Sequence, residues 1–436
     1  MQTRDIKSLV KEDRVHKDVF LDPGIFADEM QNVFMNTWVY VGHESEIENP
    51  GDFKRTYMGL EDVVIVRTKN MAIKVLVNLC RHRGVTLCQK DTGNIKNFFC
   101  AYHGWIYDLD GNLKGLPGEE AFPSNFNAQE YGLVGARVDT YRGFVFATFN
   151  PNAPSLMEHL GTAAKFIDYF VDLSPTGRIK LDKGVTKTSY PANWKHQVEN
   201  SMDGYHPLLV HKSFMDNILR VRVKNHPTLK DVDVSKFMDH MVGFSSPSRS
   251  VALENGHALL DLRPVDRGAI SGMPPTLEPA MQEWKKKLEE RLGKEKAKEV
   301  LDVNGGEGFN LLIYPNLVLI TVQIRVIVPK AVDATEVHYY PTSLEGVDES
   351  LNVFRMRQQE DFFGAASFGG PDDVEMFVRQ KEGLAHTNTV PWILYNRGME
   401  REEPFADNPD CRASHVTDET AHRGIWRRWI ELMAGK

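Results

Sequence analysis

Two short Cys/His pairs constrain this chain more than any other feature. Cys80-Arg81-His82 and Cys100-Ala101-Tyr102-His103 stand 17 residues apart, each beside an apolar strand-like run and each followed by a glycine, Gly84 or Gly104. Two thiolates and two imidazoles presented on paired loops suit either zinc or an iron–sulfur centre in which two histidines replace two cysteines on one iron. Zinc sites usually pair like with like, two residues between cysteines or three to five between histidines. Here each pair mixes one cysteine with one histidine, which favours [2Fe–2S]. The other cysteines, Cys88 and Cys411, lie outside both pairs, and Cys88 reads as a small buried apolar residue. Four cysteines in 436 residues, three of them within 21 positions, make a poor disulfide scaffold and a good local metal site.

Around these pairs the text is strand-rich from Trp38 to about Asn150. WVYVG, DVVIVRT, IKVLVN, NFFCAY and GFVFATF are separated by Asn-Pro-Gly, Asp-Gly-Asn and Leu-Pro-Gly turns, the pattern of a small all-β domain. Helical spacing begins at SLMEHLGTAAKFIDYFVDL, and a charged amphipathic helix over 280–301 is expected to be a solvated surface element without chemistry. FNLLIYPNLVLITVQIRVIVPK and ATEVHYYPTS read as adjacent antiparallel strands, and helical text resumes over 351–380 and in ETAHRGIWRRWIELM. The expectation is an α+β chain in three parts. An N-terminal segment, 1–37, is expected to pack on the second domain; an all-β domain spans 38–155; and 156–436 form an α+β domain with helices around an antiparallel sheet.

A second constellation follows in WKHQVENSMDGYHPLLVHKSF, where His206 and His211 stand five positions apart. Residues at i and i+5 do not share a face of a regular helix, so the turn must loosen near Gly204 and Pro207. One downstream carboxylate would complete a two-histidine, one-carboxylate triad, which leaves iron positions open for O2 and substrate.

CRHRG, eight residues, Gly93-Asn94, five residues and CAYHGW together resemble the signature of Rieske non-haem iron aromatic-ring-hydroxylating oxygenases, large (alpha) subunit. The resemblance extends through GDFKRT, NWKHQVENSMDGYH, FGAASFGGPDDVEMF and the closing helix, and the ENSMDGYH spacing is closest to the benzoate, salicylate and cumate types. It implies that Cys80 and Cys100 bind one iron of the cluster and His82 and His103 the other. It also makes Asp373 the third ligand of the mononuclear iron, with Asp372 as the alternative. Asp203 is implied to carry electrons from His103 of a neighbouring subunit to His206, in a homotrimer that can include a small beta subunit. A plainer role for Asp203 is to hold His206 in one tautomer. Gly369-Gly370-Pro371 departs from the family pattern and suggests a pocket wall open on that side.

Around these ligands Met202, Leu208, Leu209, Phe214, Ile218, Phe362, Phe363 and Phe368 are candidate pocket residues, most of them equally readable as core. Asn200 and Tyr205 stand close enough in sequence to approach the iron. Arg220, Arg222 and Arg263 are candidates for holding a substrate carboxylate, against the alternative of surface ion pairs. The chain has no glycine-rich dinucleotide fingerprint, so NAD(P)H electrons must arrive through a separate ferredoxin or reductase. A formal charge of -8 argues against nucleic acid, and the charged N-terminus and lack of a span of ~20 apolar residues imply a cytoplasmic protein. The expected activity is hydroxylation of an aromatic compound, an aromatic acid by resemblance, using O2. The alternatives are side-chain monooxygenation or demethylation, and a non-catalytic electron-transfer or zinc protein.

Overall fold

A computed structural model describes residues 5–219, 221, 224, 233–264, 274–304, 308–320, 322–364 and 366–435. The chain divides into two compact units, Phe34–Leu156 and the combination of Met1–Val33 with Met157–Lys436.

The smaller unit is built from antiparallel strands. One sheet runs in the order Ile73–Val77, Glu61–Arg67, Asp52–Met58, Thr92–Asn94. A second joins Phe98–Phe99, Ile106–Tyr107 and Leu113–Gly115, and a third joins Arg137–Tyr141, Phe144–Thr148 and Val39–His43. Side chains alternate across a strand, so Val64 and Val66 enter one core with Phe53, Leu76, Phe98, Trp105 and Tyr107. Cys80, Cys88 and Cys100 are buried in that same core.

In the larger unit, among the described residues, nine strands form one antiparallel sheet. Its order is Thr186–Tyr190, Ala334–Pro341, Gln323–Ala331, Leu317–Ile320, Phe309–Ile313, Ala258–Asp261, Arg249–Ala252, Asn408–His415, Glu403–Phe405. The central strands read as continuous apolar runs because both faces are covered, whereas Ala334–Pro341 alternates along its first half. This is the α+β architecture expected from the sequence.

One sequence expectation needs correction. The charged segment is two helices, Glu278–Leu292 and Lys294–Asn304, because Gly293 adopts φ +79° and ends the first. Nor is it wholly solvated, since Trp284, Leu288, Ala297 and Val300 are buried.

The helix Trp194–Ser201 carries the second metal motif and is held by buried polar contacts. Asn193 caps it, its Oδ1 accepting from the Lys195 amide at 3.1 Å. The buried Glu29 carboxylate accepts from Lys195 Nζ (2.5 Å), Trp194 Nε1 (2.9 Å) and Trp429 Nε1 (2.7 Å), joining the N-terminal segment and the last helix to this one. Burial pulls the Lys195 pKa down although Glu29 opposes it. Further along, Glu199 Oε1 accepts from Tyr395 Oη (2.5 Å) and Trp426 Nε1 (2.8 Å), and burial pushes its pKa up to about 7. Glu29→Ala strands a buried ammonium and two indole N–H groups, and is expected to destabilise the larger unit by roughly 3–5 kcal/mol. Chemical denaturation read by tryptophan fluorescence checks this, and an unchanged midpoint would contradict it.

Candidate metal centres

The two Cys/His loops of the smaller unit have the same backbone design. Cys80 N donates to Val85 O and Gly84 N to Cys80 O; Cys100 N donates to Trp105 O and Gly104 N to Cys100 O, all at 2.8–3.0 Å. Gly84 and Gly104 both sit at φ +73°, a conformation that a side chain would strain, which explains a glycine four residues after each cysteine. Both cysteines are buried, while both histidines are partly exposed. The His82 ring stacks on Trp105 with centroids 5.1 Å apart, and its Nδ1 lies 3.1 Å from His103 Nδ1. Tyr107 Oη is 3.4 Å from Cys80 Sγ and accepts from the Arg81 amide at 3.0 Å.

These four donors do not close on a single point. Among the described residues, the set of three or more such side chains with ligand atoms all within 4.8 Å of one another is His206, His211 and Asp373. One zinc ion would draw all four donors to a common centre, whereas a two-iron cluster needs the thiolates held apart from the imidazoles. The Cys/His set therefore fits a cluster better than zinc.

After helix Trp194–Ser201 the chain turns sharply at Asp203-Gly204. A Cβ on Gly204 would lie 2.5 Å from Val416 O, so only glycine allows this approach. His206 then precedes the short helix Pro207–Val210, and the His211 amide donates to Pro207 O at 3.1 Å. The loosened turn lets both imidazoles face one carboxylate. Asp373 Oδ1 lies 3.5 Å from His206 Nε2 and 3.3 Å from His211 Nε2, and accepts from Asn200 Nδ2 at 3.0 Å. Asp373 occupies the first turn of helix Gly370–Ala385, where a carboxylate is favoured by the helix N-terminus. Its neighbour Asp372 turns away and accepts from Ser213 Oγ at 2.9 Å.

Asp203 backs this group from the other side. Its Oδ1 accepts from the Tyr205 amide at 2.6 Å, and its Oδ2 stands 3.5 Å from His206 Nδ1, an ion-pair distance. Burial works against an ionised Asp203, but His206, His422 and the Tyr205 amide outweigh it and hold the carboxyl at about 2. His206 is pushed up, because Asp203 and Asp373 overcome its burial; His211, buried and beside His206, is held down at about 3. Burial raises Asp373 against the opposing charges of His206 and Arg325. A buried acid and two imidazoles of mismatched proton affinity suit a divalent cation, which would bind the deprotonated forms of all three.

Aromatic side chains flank the triad. The Phe362 ring lies 4.8 Å from His211 and 4.8 Å from Phe214, and packs on Phe363 at 4.5 Å. Leu208 packs with Val242, Leu260, Leu262 and Val416. Met202 is core, while Leu209 and Phe368 are exposed. Tyr205 points outward under Arg397 and beside Phe244 instead of toward the triad. Arg263 takes the ion-pair alternative, bound to Asp261 (2.7 Å) and Asp407 (2.8 Å). One expectation fails. Gly369 does not open the pocket wall, because a Cβ there would lie 2.6 Å from the Phe362 ring, so the glycine makes room for that ring. Arg220, Arg222 and the side chain of Ile218 lie outside the described residues. Sequence reasoning gave no role to Glu29 and Arg325, buried charges that no local motif marks, nor to Glu199, which lies inside ENSMDGYH.

Residues 37–139 match the Rieske [2Fe-2S] domain model, and residues 170–435 match that of the ring hydroxylating alpha subunit (catalytic domain). The chain belongs to the ring-hydroxylating alpha-subunit family. It is the terminal oxygenase component of its system, with a Rieske [2Fe–2S] cluster and a mononuclear iron as cofactors, and it receives electrons from a separate protein. That excludes the non-catalytic alternatives. It is similar to the 2-halobenzoate 1,2-dioxygenase large subunit of Burkholderia cepacia, 34% identical with 92% of this chain and 83% of the relative covered. It is also 32% identical to the anthranilate 1,2-dioxygenase large subunit of Acinetobacter baylyi, covering 95% and 87%. The fold superposes on naphthalene 1,2-dioxygenase with indole bound at a TM-score of 0.80 and 24% identity, covering 98% and 94% of the two chains. Among the described residues no helix is long and apolar enough to cross a membrane.

Tyr107 Oη stands 3.4 Å from Cys80 Sγ, and were Cys80 to hold the cluster, a hydrogen bond from that hydroxyl would raise its reduction potential. Tyr107→Phe is therefore expected to keep the visible spectrum and lower the midpoint potential, measured by redox titration. An unchanged potential would place the hydroxyl outside the cluster's influence.

Proposed function

We propose that the chain hydroxylates the ring of an aromatic acid, with His206, His211 and Asp373 holding the mononuclear iron. Cys80 and Cys100 hold one iron of the cluster, and His82 and His103 the other. The convergence of His206, His211 and Asp373 on one point, with Asp372 committed to Ser213, carries the reading. The aromatic-acid class is supported by the names of the relatives, 2-halobenzoate, anthranilate and toluate dioxygenases. The Rieske domain is assigned to 38–155 and the catalytic domain to 156–436, with 1–37 packed on the latter, in a cytoplasmic enzyme.

When bound, the cluster supplies single electrons and the triad iron supplies O2 activation. The chain's own contribution is orientation and charge. Asn200 holds Asp373 Oδ1, and the Phe362 ring keeps water from one side of His211. Asp203 stays ionised at neutral pH and retains the Nδ1 proton of His206, which leaves Nε2 free to ligate.

Asp203 also serves as the electron bridge between copies of the chain, arranged as a trimer that can carry a small beta subunit. It is partly exposed; near it in sequence Tyr205 (45% exposed) and Leu209 (77%) are exposed apolar residues, and Tyr205 packs on the exposed Phe244 (66%). The Rieske unit has its own exposed apolar residues, Leu79, Phe99 and Tyr102, next to the cluster motifs. Apolar patches of this kind are normally covered by a partner, and in a ring each would cover the other on a neighbouring copy. A ferredoxin or reductase delivers electrons to the cluster.

His82→Ala or Cys100→Ser is expected to abolish the visible cluster absorption. His206→Ala or Asp373→Ala should keep that absorption while losing the mononuclear iron and turnover, by metal analysis and product assay with benzoates and salicylates. A His206→Ala protein turning over at the wild-type rate would overturn the triad. Asp203→Asn separates bridge from support: as a bridge it keeps both metals and gives no product in a single turnover from a pre-reduced cluster. Full iron with near-normal single-turnover product would rule the bridge out. Product analysis separates a cis-diol from the phenol or lost methyl group of a monooxygenase or demethylase.

A further inference from the structure

The strand Gln323–Ala331 carries two polar side chains that the metal ligands do not use. Gln323 and Arg325 are two residues apart and so face the same side of the sheet. They are 0% and 2% exposed. Each keeps a buried donor with no acceptor among the described residues, Nε2 of Gln323 and Nε of Arg325. Their remaining contacts are accounted for. Gln323 Oε1 accepts from Gln359 Nε2 at 3.3 Å, and an Arg325 Nη donates to Ser201 Oγ at 3.0 Å. The Arg325 guanidinium makes no ion pair among the described residues; it lies over the rings of Phe363 (4.7 Å) and Tyr339 (5.2 Å).

A buried guanidinium without a counter-ion is strongly unfavourable, and so is a buried amide N–H left unbonded. Asp373 feels the Arg325 charge but lies beyond ion-pair range, and its carboxylate belongs to the triad. A divalent iron there would add positive charge beside Arg325 and leave the region in need of an anion. The pair sits close to that centre by two routes. Ser201 adjoins Asn200, which donates to Asp373, and Phe363 packs on Phe362, which abuts His211.

We infer that Gln323 and Arg325 form the receptor for the carboxylate of an arenecarboxylate substrate. Gln323 Nε2 and Arg325 Nε donate to its oxygens while its ring lies against Phe362 and Phe363 toward the triad. The inference rests on the aromatic-acid reading and names the residues that enforce it. Arginine and this amide suit the task because, with Gln323 Oε1 engaged by Gln359, the groups left free are donors facing an acceptor-only carboxylate, and a neutral arene leaves both unsatisfied.

The test uses the holoenzyme with its electron donor and three acids, benzoate, salicylate and anthranilate, beside their decarboxylated counterparts benzene, phenol and aniline. Calorimetry gives the affinity for the acid bound best, and kcat/KM gives the acid-to-arene ratio. In Gln323→Leu the dissociation constant should rise about tenfold or more, with a matching fall in the ratio. Gln323→Glu, nearly isosteric, should pair with Arg325 and abolish binding of the acid. Cluster absorption and iron content are measured on every sample. Unchanged affinity and ratio in both variants, with metals retained, overturn the inference and leave the aromatic-acid reading standing. A wild-type enzyme that binds none of the three acids and oxidises only neutral arenes overturns both.

Discussion

The buried carboxylate of Glu29 is the contact on which the catalytic unit turns. It gathers the ammonium of Lys195 and the indoles of Trp194 and Trp429, three donors from two helices that are more than 200 residues apart in sequence. A charge pair this deep adds little net stability, because desolvation offsets attraction, but it tolerates only one arrangement of its partners. Glu199, one turn further along, repeats the device with Tyr395 and Trp426. The helix that leads into the metal motif is thereby fixed in both position and rotation.

That rigidity passes directly to the ligands. Asn200 follows Glu199 and holds Asp373, Ser201 follows Asn200 and meets Arg325, and Gly204 lets the chain press on Val416 before His206. An open iron site needs such support, since its vacant positions give the metal no help in ordering its own ligands. The Rieske unit solves the same problem differently. Its two Cys/His pairs lie on loops of equal backbone design, each closed by a positive-φ glycine and each rooted in the core by its cysteine.

Much of this was legible in the residues. The Cys/His loops are local, their spacing is dictated by the turn that holds them, and glycine marks that turn. The strand and helix texts anticipated the α+β class, because side-chain periodicity is a property of each element alone. What the residues left open is equally instructive. Arg263 could hold a substrate or an ion pair, and Asp407, distant in sequence, decides for the pair. The charged helix divided at Gly293, where a residue tolerable in a helix becomes a stop once the following segment packs elsewhere.

By itself, the sequence determined the donor types, their local spacing, the family and both cofactors, since each follows from residues close together in the chain. Tertiary structure alone decided which side chains share a volume. Adjacent residues on a helix point about 100° apart, so only the packing of Gly370–Ala385 could settle that Asp373 faces the histidines while Asp372 faces Ser213. The same holds for Glu29, Gln323 and Arg325, whose roles depend on partners far away in sequence and on the loss of water that burial imposes.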